Sequence, residues 1–486
     1  MKTLTFYSGL FIFFVLLQRG SGVLTKIVLA NTITPYEYGL ITLLALTLPG
    51  VFQLVTTLNF PQILAHSEEG RHYFGFSMVM SMLIGLVLSA LLFIFREPFF
   101  SYLNIPLDRM NLFYAVIIFS LFSLTILADF EALYTGLRQY AFPGITMALP
   151  SVARLVIIAG LLLAGMQSFE FILIGFVLAN VIPLAILALS GTYRRQYLPI
   201  LSIRRPSRQI FAFGIALFIF GSLNTFGQAL IKMVISHDLG IVWQGYFDVS
   251  LTLGSFFFFA MGTMTLLSVP EATSADPERI YRRGGLADVT RALFALMVLI
   301  FITLSLYSEY LVRVLFSRAY LDASTYFPIM AVGYLFIFIQ VFIANLNLSR
   351  ATDAKDYAII AVIPLAMLPL FFVLTVYLID LSRSLGFGNG FLGAYISNTL
   401  LFIISTLLTI ALVKDLTPLK VILHRIGRLA GCFIVTVLLL MVLRPHPLLG
   451  IGIAIILFPA LAYATGYVSK DIVRDLVGIT RRHPDR

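Results

Sequence analysis

Long apolar runs alternate with short polar segments along the whole chain. A helix needs about 20 mainly apolar residues to cross a lipid bilayer. By this rule the sequence predicts about fourteen spans, at 5–31, 38–66, 74–95, 111–136, 140–165, 170–190, 209–236, 243–270, 289–315, 324–350, 355–379, 391–413, 424–443 and 447–469. The pattern therefore predicts an all-α membrane protein with about 14 transmembrane helices.

Two pairs of short stretches indicate that the first six spans recur in the next six. Lys26 lies in the apolar stretch LTKIVLAN and Lys232 in LIKMVISH, and these lysines are as far apart as Gly39 and Gly245. A second match joins the ends of the fourth and tenth spans, ADFEALYTGLRQYA and ANLNLSRATDAKDYA. Because six is even, both halves begin on the same side of the membrane, as in a parallel repeat. Chance similarity between apolar helices is the alternative.

The repeat divides the chain into four predicted segments. An N-lobe at 1–190 holds spans one to six, and a basic cytoplasmic linker at 191–208 precedes a C-lobe at 209–413 with spans seven to twelve. The last segment, 414–486, holds spans thirteen and fourteen and a cytoplasmic tail. Transporters built from two such lobes bind their substrate near the membrane midplane and work by alternating access.

Composition and charge agree with this class. Apolar residues make up 60% of the 486 residues and charged residues 12%, about half the share found in soluble domains. Most of the 33 lysines and arginines fall in loops on one side, which predicts that both termini are cytoplasmic. The net charge of +10 is therefore mainly a topology signal, with contacts to anionic membrane lipids. Basic residues spread over many short loops do not predict nucleic-acid binding.

Four basic residues fall inside predicted spans, where a lysine or arginine at the bilayer centre costs about 2.5–3.5 kcal/mol. They are Arg19, Lys26, Arg154 and Lys232. The depth of Arg19 and Arg154 favours a polar cavity, because neither can easily reach a membrane surface. Lys26 could instead extend to the outer surface. The four residues together are a candidate binding site for an anionic ligand.

Three acids are candidates for balancing these charges or for ion coupling, and they are Asp129, Glu131 and Asp248. Asp129 and Glu131 lie two positions apart on one helix and so face different directions. Asp248 lies at a similar depth to Lys232 on the next helix, which predicts an ion pair. Aromatic residues near the outer ends of spans are interpreted as interfacial anchors, with sugar stacking as the alternative: Tyr36, Tyr38, Trp243 and Tyr246.

Sequence motifs of several enzyme classes are missing. The chain has no P-loop, no H-E-x-x-H motif and no nucleophile elbow, so the sequence predicts neither an ATP-driven motor on this chain nor an enzyme. We expect no metal site and no organic cofactor, and coupling to Na⁺ or H⁺ stays open. The single cysteine, Cys432, excludes an intrachain disulfide.

The stretch LANTITPYEYG (Leu29–Gly39) and the six-plus-six repeat followed by two spans resemble the polysaccharide-biosynthesis (Wzx-type) flippases. These belong to the multidrug/oligosaccharidyl-lipid/polysaccharide exporter superfamily, and the resemblance covers essentially the whole chain. It implies flipping of an anionic lipid-linked oligosaccharide, on a polyprenyl phosphate or diphosphate carrier, across the cytoplasmic membrane. It also implies headgroup binding by the four basic residues within the spans, and glycan polymerases or glycosyltransferases as partners.

Three other functions stay open. A multidrug and toxin extruder shares the architecture but would use acids such as Asp129 to bind coupling cations and cationic drugs. A peptidoglycan-precursor flippase would share the cationic cavity. A non-transporting scaffold for glycosyltransferases has no need of charges within the membrane. The excess of basic over acidic residues inside the spans favours an anionic substrate.

Overall fold

The computed structural model describes residues 2–57, 70–136, 141–189, 226–274, 285–350, 354–413 and 416–468. Within these ranges all regular secondary structure is helical, which confirms the all-α class. Eleven of the described helices are long and apolar enough to cross a membrane, and a further apolar helix at Ala148–Leu163 is shorter. The chain is a multi-pass membrane protein, and the full count of fourteen spans stays a prediction.

The first helices overlap the predicted spans, although the helix of the second span ends at Thr56, before the predicted bound at residue 66. They are α1 (Lys2–Ala30), α2 (Pro35–Ile41), a π-helical segment (Thr42–Thr47), α3 (Leu48–Thr56), α4 (Gly70–Ile94), α5 (Arg96–Tyr102), α6 (Met110–Gly136), α7 (Ala141–Leu163) and α8 (Phe169–Leu189). The helix α2, the π-helical segment and α3 follow one another without a break, and together they form the second span.

The remaining helices begin with α9 at 226–238. They continue with α10 (Ile241–Ser274), α11 (Gly285–Leu306), α12 (Ser308–Leu315), a 3-10 turn (Arg318–Tyr320), α13 (Asp322–Thr325), α14 (Phe327–Arg350), α15 (Ala354–Ser384), α16 (Phe391–Leu412), α17 (Thr417–Leu423), α18 (Ile426–Leu443) and α19 (Pro447–Ala464). Comparing these helix boundaries with the predicted spans shows which spans were predicted accurately.

The predicted span at 289–315 is wrong as a single helix. The chain forms α11 up to Leu306 and restarts as α12 at Ser308. The second segment is too polar for the membrane interior, since Glu309 and Arg313 form an exposed ion pair one turn apart, at 2.6 Å. Charged groups at the end of an apolar run favour a separate helix near the membrane surface over a longer span.

The chain divides into two compact units. The first comprises Met1–Thr252, Leu315–Ala323 and Asp353–Asn398, and the second comprises Leu253–Val314, Ser324–Thr352 and Thr399–Arg486. All seven candidate residues from the sequence belong to the first unit. The lobe boundaries predicted from the repeat stay a prediction. The predicted linker at 191–208 and the tail beyond 468 lie outside the described residues.

Helix packing in the first unit places the candidate residues. The helix α1 lies along α7, and α7 packs against α8, while α3 and α4 pack against α6. The α7–α8 contact is close, because a Cβ atom on Gly175 would lie 2.9 Å from a methyl group of Leu161. The helix α6 also packs against α7. Three helices that carry candidate residues, α1, α6 and α7, are therefore neighbours.

The second unit has its own apolar core. The helix α11 packs against α14, and α18 packs against α19. Tyr334 of α14 is fully buried, and its ring stacks on Phe257 at a centroid distance of 5.1 Å. Gly254 allows this approach, because a Cβ atom at that position would overlap the Tyr334 ring.

Candidate functional site

The two lysines of the sequence repeat bind one carboxylate. The Nζ of Lys26 in α1 lies 2.8 Å from Oδ2 of Asp248 in α10. Lys232 of α9 pairs with the other oxygen, Oδ1, of the same side chain. The ion pair predicted between Lys232 and Asp248 is therefore confirmed. Lys26 is a second partner that the sequence analysis did not assign to this acid.

Two hydroxyl groups complete this arrangement. Tyr38 donates a hydrogen bond from its hydroxyl to Asp248 Oδ2 at 3.0 Å, and Lys232 donates to Thr47 Oγ1 at 3.3 Å. We call these five residues, Lys26, Tyr38, Thr47, Lys232 and Asp248, the lysine–carboxylate cluster. The interpretation of Tyr38 as an interfacial anchor is wrong, because its side chain is fully buried and bound to the acid.

The formal charge of the cluster is positive, because two lysines share one carboxylate. Attraction within a buried ion pair offsets the cost of removing its charges from water only when the geometry and the hydrogen bonds are good. The Asp248 side chain is fully buried, whereas the side chains of Lys26 and Lys232 are 23% and 11% exposed. The acid is therefore shielded, and the lysines are the charged groups that a ligand could reach.

The stretch Leu29–Gly39, which carries the family resemblance, positions Tyr38 through hydrogen bonds at the start of α2. Thr34 is the N-cap of α2, its hydroxyl accepts a hydrogen bond from the Glu37 backbone, and Glu37 accepts one from the Thr34 backbone N–H at 3.0 Å. This is a capping box, and Pro35 at the first helical position suits the fixed φ of proline. The helix start is thereby fixed one turn before Tyr38, which directs its hydroxyl to Asp248.

The two repeat glycines lie at a close crossing of α2 and α10. A Cβ atom on Gly39 would overlap the carbonyl oxygen of Ile241, and one on Gly245 would lie 2.7 Å from the carbonyl oxygen of Pro35. Gln244 adds a hydrogen bond from its amide to Thr42 Oγ1 at 3.2 Å. Glycine at both positions lets the two backbones approach this closely, and Tyr38 and Asp248 lie on the two helices that cross here.

Loop residues hold the end of α9, which carries Lys232. Asn104 donates from its amide to the carbonyl oxygens of Ser236 and His237 at 2.7 and 2.8 Å. Arg383 donates to the Asp238 carbonyl oxygen at 2.6 Å. These bonds satisfy the carbonyl groups that every helix leaves free at its C-terminus. The loops around Asn104 and Arg383 therefore meet at one helix end, as expected for loops on the same side of the membrane.

The predicted cavity arginines lie on α1 and α7. Arg154 donates to the Asn180 side-chain oxygen at 3.0 Å, and its Nε is buried without a hydrogen-bond partner among the described residues. Its guanidinium carbon lies 5.9 Å from the ring centre of Phe176. Arg19 is half-buried on the same helix as Lys26. Their roles in substrate binding stay predictions.

The remaining predicted acids lie together on α6 but in different surroundings. Asp129 is fully buried and accepts a hydrogen bond from Ser81 at 3.3 Å, whereas Glu131 is half-buried. The structure does not bring Asp129 into the lysine–carboxylate cluster. Within the described ranges, no group of three or more His, Cys, Asp or Glu side chains is placed to hold a metal ion.

The sequence analysis missed Tyr38, Thr47 and Asn180 as partners of the charged residues. Thr34, Pro35 and Glu37 form a capping-box signature that predicts a helix start at this place. That signal could have shown that Tyr38 is one turn into a helix. No comparable signal marks Thr47 or Asn180, because their contacts depend on long-range helix packing.

The family comparison covers most of the chain. A family model described as "Polysaccharide biosynthesis protein" matches residues 28–325. This range contains Tyr38, Thr47, Lys232 and Asp248 of the cluster, while Lys26 lies just before it. Among the curated proteins, none has a sequence that matches this chain.

The fold is similar to those of solved membrane transporters. The lipid II flippase MurJ in an inward closed conformation has a TM-score of 0.64 and 14% identity, covering 96% of this chain and 99% of that protein. A mutant of the Vibrio cholerae MATE transporter VcmN has a TM-score of 0.56 and 13% identity, covering 84% of this chain and 96% of that protein. The MATE multidrug transporter DinF-BH has a TM-score of 0.56 and 16% identity, covering 85% of this chain and 94% of that protein. A further solved structure of similar fold, with a TM-score of 0.56 and 12% identity, covers 81% of this chain and 94% of that protein, and it is described as a MATE family transporter of the MOP superfamily.

Proposed function

This chain belongs to the polysaccharide biosynthesis protein family, and we propose that it is a flippase for an anionic lipid-linked oligosaccharide. The substrate's sugar-phosphate headgroup binds at Lys26 and Lys232, and its lipid stays in the bilayer. The carrier is a polyprenyl phosphate or diphosphate, the membrane is the cytoplasmic membrane, and both termini are cytoplasmic. Glycan polymerases or glycosyltransferases are its partners.

One observation carries this proposal, namely that two lysines from corresponding sequence positions share a single buried carboxylate. A phosphate headgroup loses its hydration when it enters a membrane protein, and cationic donors replace that hydration. The net positive charge of the cluster supplies such donors. A cationic drug would meet like-charge repulsion at the same place.

The headgroup approaches the lysines from the side that Asp248 does not cover. Lys26 has three N–H donors, and one of them is used for Asp248. Lys232 uses two, for Asp248 and Thr47. The remaining donors are available to a phosphate, so Asp248 acts as an internal counter-ion that keeps both lysines charged and in place while the site is empty.

Arginines on neighbouring helices extend the cationic surface. Arg19 lies seven residues before Lys26 on α1, about two helical turns away, so both lie on one face. Arg154 lies on α7, which packs along α1. The planar guanidinium group suits bidentate contacts to phosphate, which a lysine does not make. MurJ, which has a similar fold, is a lipid II flippase, and this similarity supports a lipid-linked substrate.

Reconstituted vesicles provide the test. Purified protein is inserted into vesicles that contain a fluorescent lipid-linked oligosaccharide, and its movement is measured with a membrane-impermeant quencher. We expect Lys26→Ala and Lys232→Ala to slow movement at least about tenfold, since one charged hydrogen bond contributes about 1.5–3 kcal/mol. Lys420→Ala, at an exposed lysine of α17, is the matched control and should move the lipid at the normal rate.

A parallel assay distinguishes the proposed flippase from its main alternative, a multidrug antiporter. The same vesicles are loaded with a cationic dye and given a sodium or proton gradient. Dye export without movement of the sugar lipid would show a multidrug antiporter and would contradict the proposed flippase. Movement of a peptidoglycan precursor in preference to other lipid-linked sugars would identify a peptidoglycan-precursor flippase. A protein that moves none of these substrates would be consistent with a scaffold.

A further inference from the structure

A short segment of the chain lies against the lysine–carboxylate cluster, and we call it the strap. It comprises Leu315–Ala323, which belongs to the first compact unit, although the chain before and after it belongs to the second. The strap contains the 3-10 turn and leads from the end of α12 into α13. Tyr320 near its centre is fully buried, while Arg318 and Asp322 on either side of it are exposed. The strap therefore turns one large ring inward and keeps a charged outer surface.

Both ends of the strap are fixed by hydrogen bonds to helices of the first unit. Asn31, which follows α1, donates from its amide to the Leu315 carbonyl oxygen at 2.8 Å. Ser250 of α10 donates to the Ala323 carbonyl oxygen at 2.7 Å. The hydroxyl of Tyr395 in α16 donates to the same oxygen at 3.3 Å. The strap is thus tied down at its two ends, with the Tyr320 ring between them.

The Tyr320 ring contacts two helices at once. Its ring centre lies 5.5 Å from that of Tyr38 in α2 and 5.9 Å from that of Tyr246 in α10, at interplanar angles of 76° and 79°. Aromatic rings favour such edge-to-face contacts. Tyr38 donates a hydrogen bond to Asp248, and Tyr246 lies two positions before Asp248 on α10. Tyr320 therefore links the two helices that cross at the glycine pair, directly beside the cluster.

The hydroxyl group of Tyr320 opposes the burial of its ring. The side chain is fully buried, and its oxygen has no hydrogen-bond partner among the described residues. A buried hydroxyl without a partner costs free energy that a hydrated one does not. Two aromatic contacts favour the buried ring and one unsatisfied hydroxyl disfavours it, by free energies of similar size. The ring is therefore placed so that it can leave at little cost.

The two other buried tyrosines that contact the strap have satisfied hydroxyl groups. Tyr38 donates to the carboxylate of Asp248 at 3.0 Å. Tyr395 contacts the Ser250 hydroxyl at 2.5 Å, in addition to its bond with the strap. These two side chains would lose a hydrogen bond if they left their positions, whereas Tyr320 would gain one with water. Among these three rings, Tyr320 is the one suited to movement.

We propose that the strap is a removable plug with Tyr320 as its closing side chain; this inference rests on the proposed flippase function. With Tyr320 in place, its ring joins Tyr38 to Tyr246, and the headgroup cannot pass from the lysines towards the end of α1. When Tyr320 withdraws, its hydroxyl becomes hydrated, α2 and α10 lose this link, and the headgroup leaves on that side. In the proposed orientation, with both termini cytoplasmic, this is the outer side of the membrane.

Oxidative footprinting of the wild type tests the plug directly. Full-length protein in vesicles is exposed to hydroxyl radicals with and without the lipid-linked oligosaccharide, and oxidation of each tyrosine is measured by mass spectrometry. Tyr36 is 39% exposed and Tyr395 is fully buried, so they give the upper and lower reference levels. We expect Tyr320 to be protected like Tyr395 without the sugar lipid and to approach the level of Tyr36 when the sugar lipid is present.

The outcomes of this experiment separate the plug from the function. If the sugar lipid moves while Tyr320 stays as protected as Tyr395, the plug is overturned and the flippase function stands. If the wild type does not move the sugar lipid, the proposed function is contradicted, and the plug fails with it. Oxidation of Tyr320 to the level of Tyr36 without any sugar lipid would show that the ring is not seated and would also overturn the plug.

Removing the hydroxyl of Tyr320 should stabilise the protein and slow it. Tyr320→Phe keeps the ring and removes the unsatisfied group, so the ring should withdraw less often. We expect a higher unfolding temperature and sugar-lipid movement that is at least about fivefold slower, the low end of the effect of one unsatisfied buried group. Tyr36→Phe is the matched control and should keep the normal rate. A stabilised Tyr320→Phe with a normal rate would show that Tyr320 only packs, and a destabilised one would show that its hydroxyl has a partner; either result would overturn the plug.

Loosening one end of the strap should have the opposite effect. Asn31→Ala removes the hydrogen bond to the Leu315 carbonyl oxygen, so Tyr320 should be oxidised more than in the wild type even without the sugar lipid. Asn111→Ala is the control, because it removes another exposed amide bond, to Arg96 of α5, and should leave Tyr320 protected. Equal protection of Tyr320 in Asn31→Ala and in the wild type would overturn the strap as the moving element.

Discussion

Gly39 and Gly245 bring the backbones of α2 and α10 into direct contact, since a Cβ atom on Gly245 would lie 3.3 Å from Gly39 Cα. The same positions were matched in the sequence repeat, together with Lys26 and Lys232. The glycine crossing and the shared carboxylate are therefore two consequences of one arrangement. Close helix approach through small residues is typical of membrane proteins, where packing replaces the hydrophobic effect between helices.

A larger side chain at this crossing should separate the two helices. We expect Gly245→Ala to lower the free energy of unfolding by about 1–3 kcal/mol, the usual cost of overpacking. Thermal unfolding in detergent measures the change. The control is Gly50→Ala in α3, where a Cβ atom would meet nothing within 4 Å. A Gly245→Ala protein as stable as this control would show that the crossing tolerates a wider spacing.

The effects on stability of removing individual charges from the cluster should depend on one another. Asp248→Asn leaves two lysines without their carboxylate, and breaking a buried ion pair in this way costs about 3–5 kcal/mol. We expect the double variant Asp248→Asn/Lys232→Met to be less destabilised than the sum of the two single variants. A double-mutant cycle based on unfolding measures the coupling, which for contacting residues is about 0.5–3 kcal/mol. Additive effects would contradict a shared interaction.

The sequence predicted these contacts unevenly, for a physical reason. Lys232 and Asp248 are 16 residues apart on consecutive helices, so similar depth was enough to predict their pairing. Lys26 and Asp248 are 222 residues apart. Depth alone does not say which of many helices α1 will contact. The predicted spans followed from the apolar runs, whereas the break at Tyr307 depended on polar residues inside a run that was otherwise long enough.

The interpretation of aromatic residues failed for a related reason. Tyr36 and Tyr38 lie two positions apart in the same motif, but Tyr36 is 39% exposed and Tyr38 is fully buried. Aromatic type and position near a span end are the same for both. The difference arises from the helix that begins at Pro35, which points the two side chains in different directions.

This pair provides a matched test of the motif. Tyr38→Phe keeps the ring but removes the hydrogen bond to Asp248, and a hydrogen bond to a charged group contributes about 1.5–3 kcal/mol. Tyr36→Phe removes an exposed hydroxyl and should leave stability within about 0.5 kcal/mol of wild type. Unfolding in detergent compares the two. Equal stability of both variants would show that the Tyr38 hydroxyl is not needed to hold Asp248.

Arg154 should contribute to substrate binding through its planar guanidinium group and not only through its charge. We expect Arg154→Ala to lose movement of the lipid-linked oligosaccharide while it still folds, and Arg154→Lys to recover only part of the rate, because lysine cannot form a bidentate contact. The hydrogen bond to Asn180 provides the structural control. Asn180→Ala removes that bond and should reduce stability more than transport. Full activity of Arg154→Ala would remove this residue from the proposed binding site.

Cysteine labelling can test the topology, because the loops at Asn104 and Arg383 both bind the end of α9 and so must lie on one side of the membrane. Cys432 is the one cysteine and is buried, so Cys432→Ser gives a clean background.

The side chains of Asp108 and Asp380 are 68% and 63% exposed. We expect Asp108→Cys and Asp380→Cys to react with an impermeant maleimide in intact cells, and Lys420→Cys, at an exposed lysine of α17, to react only after permeabilisation. Labelling of Lys420→Cys in intact cells would contradict the positive-inside orientation. Opposite behaviour of the two aspartate positions would contradict the contacts at α9.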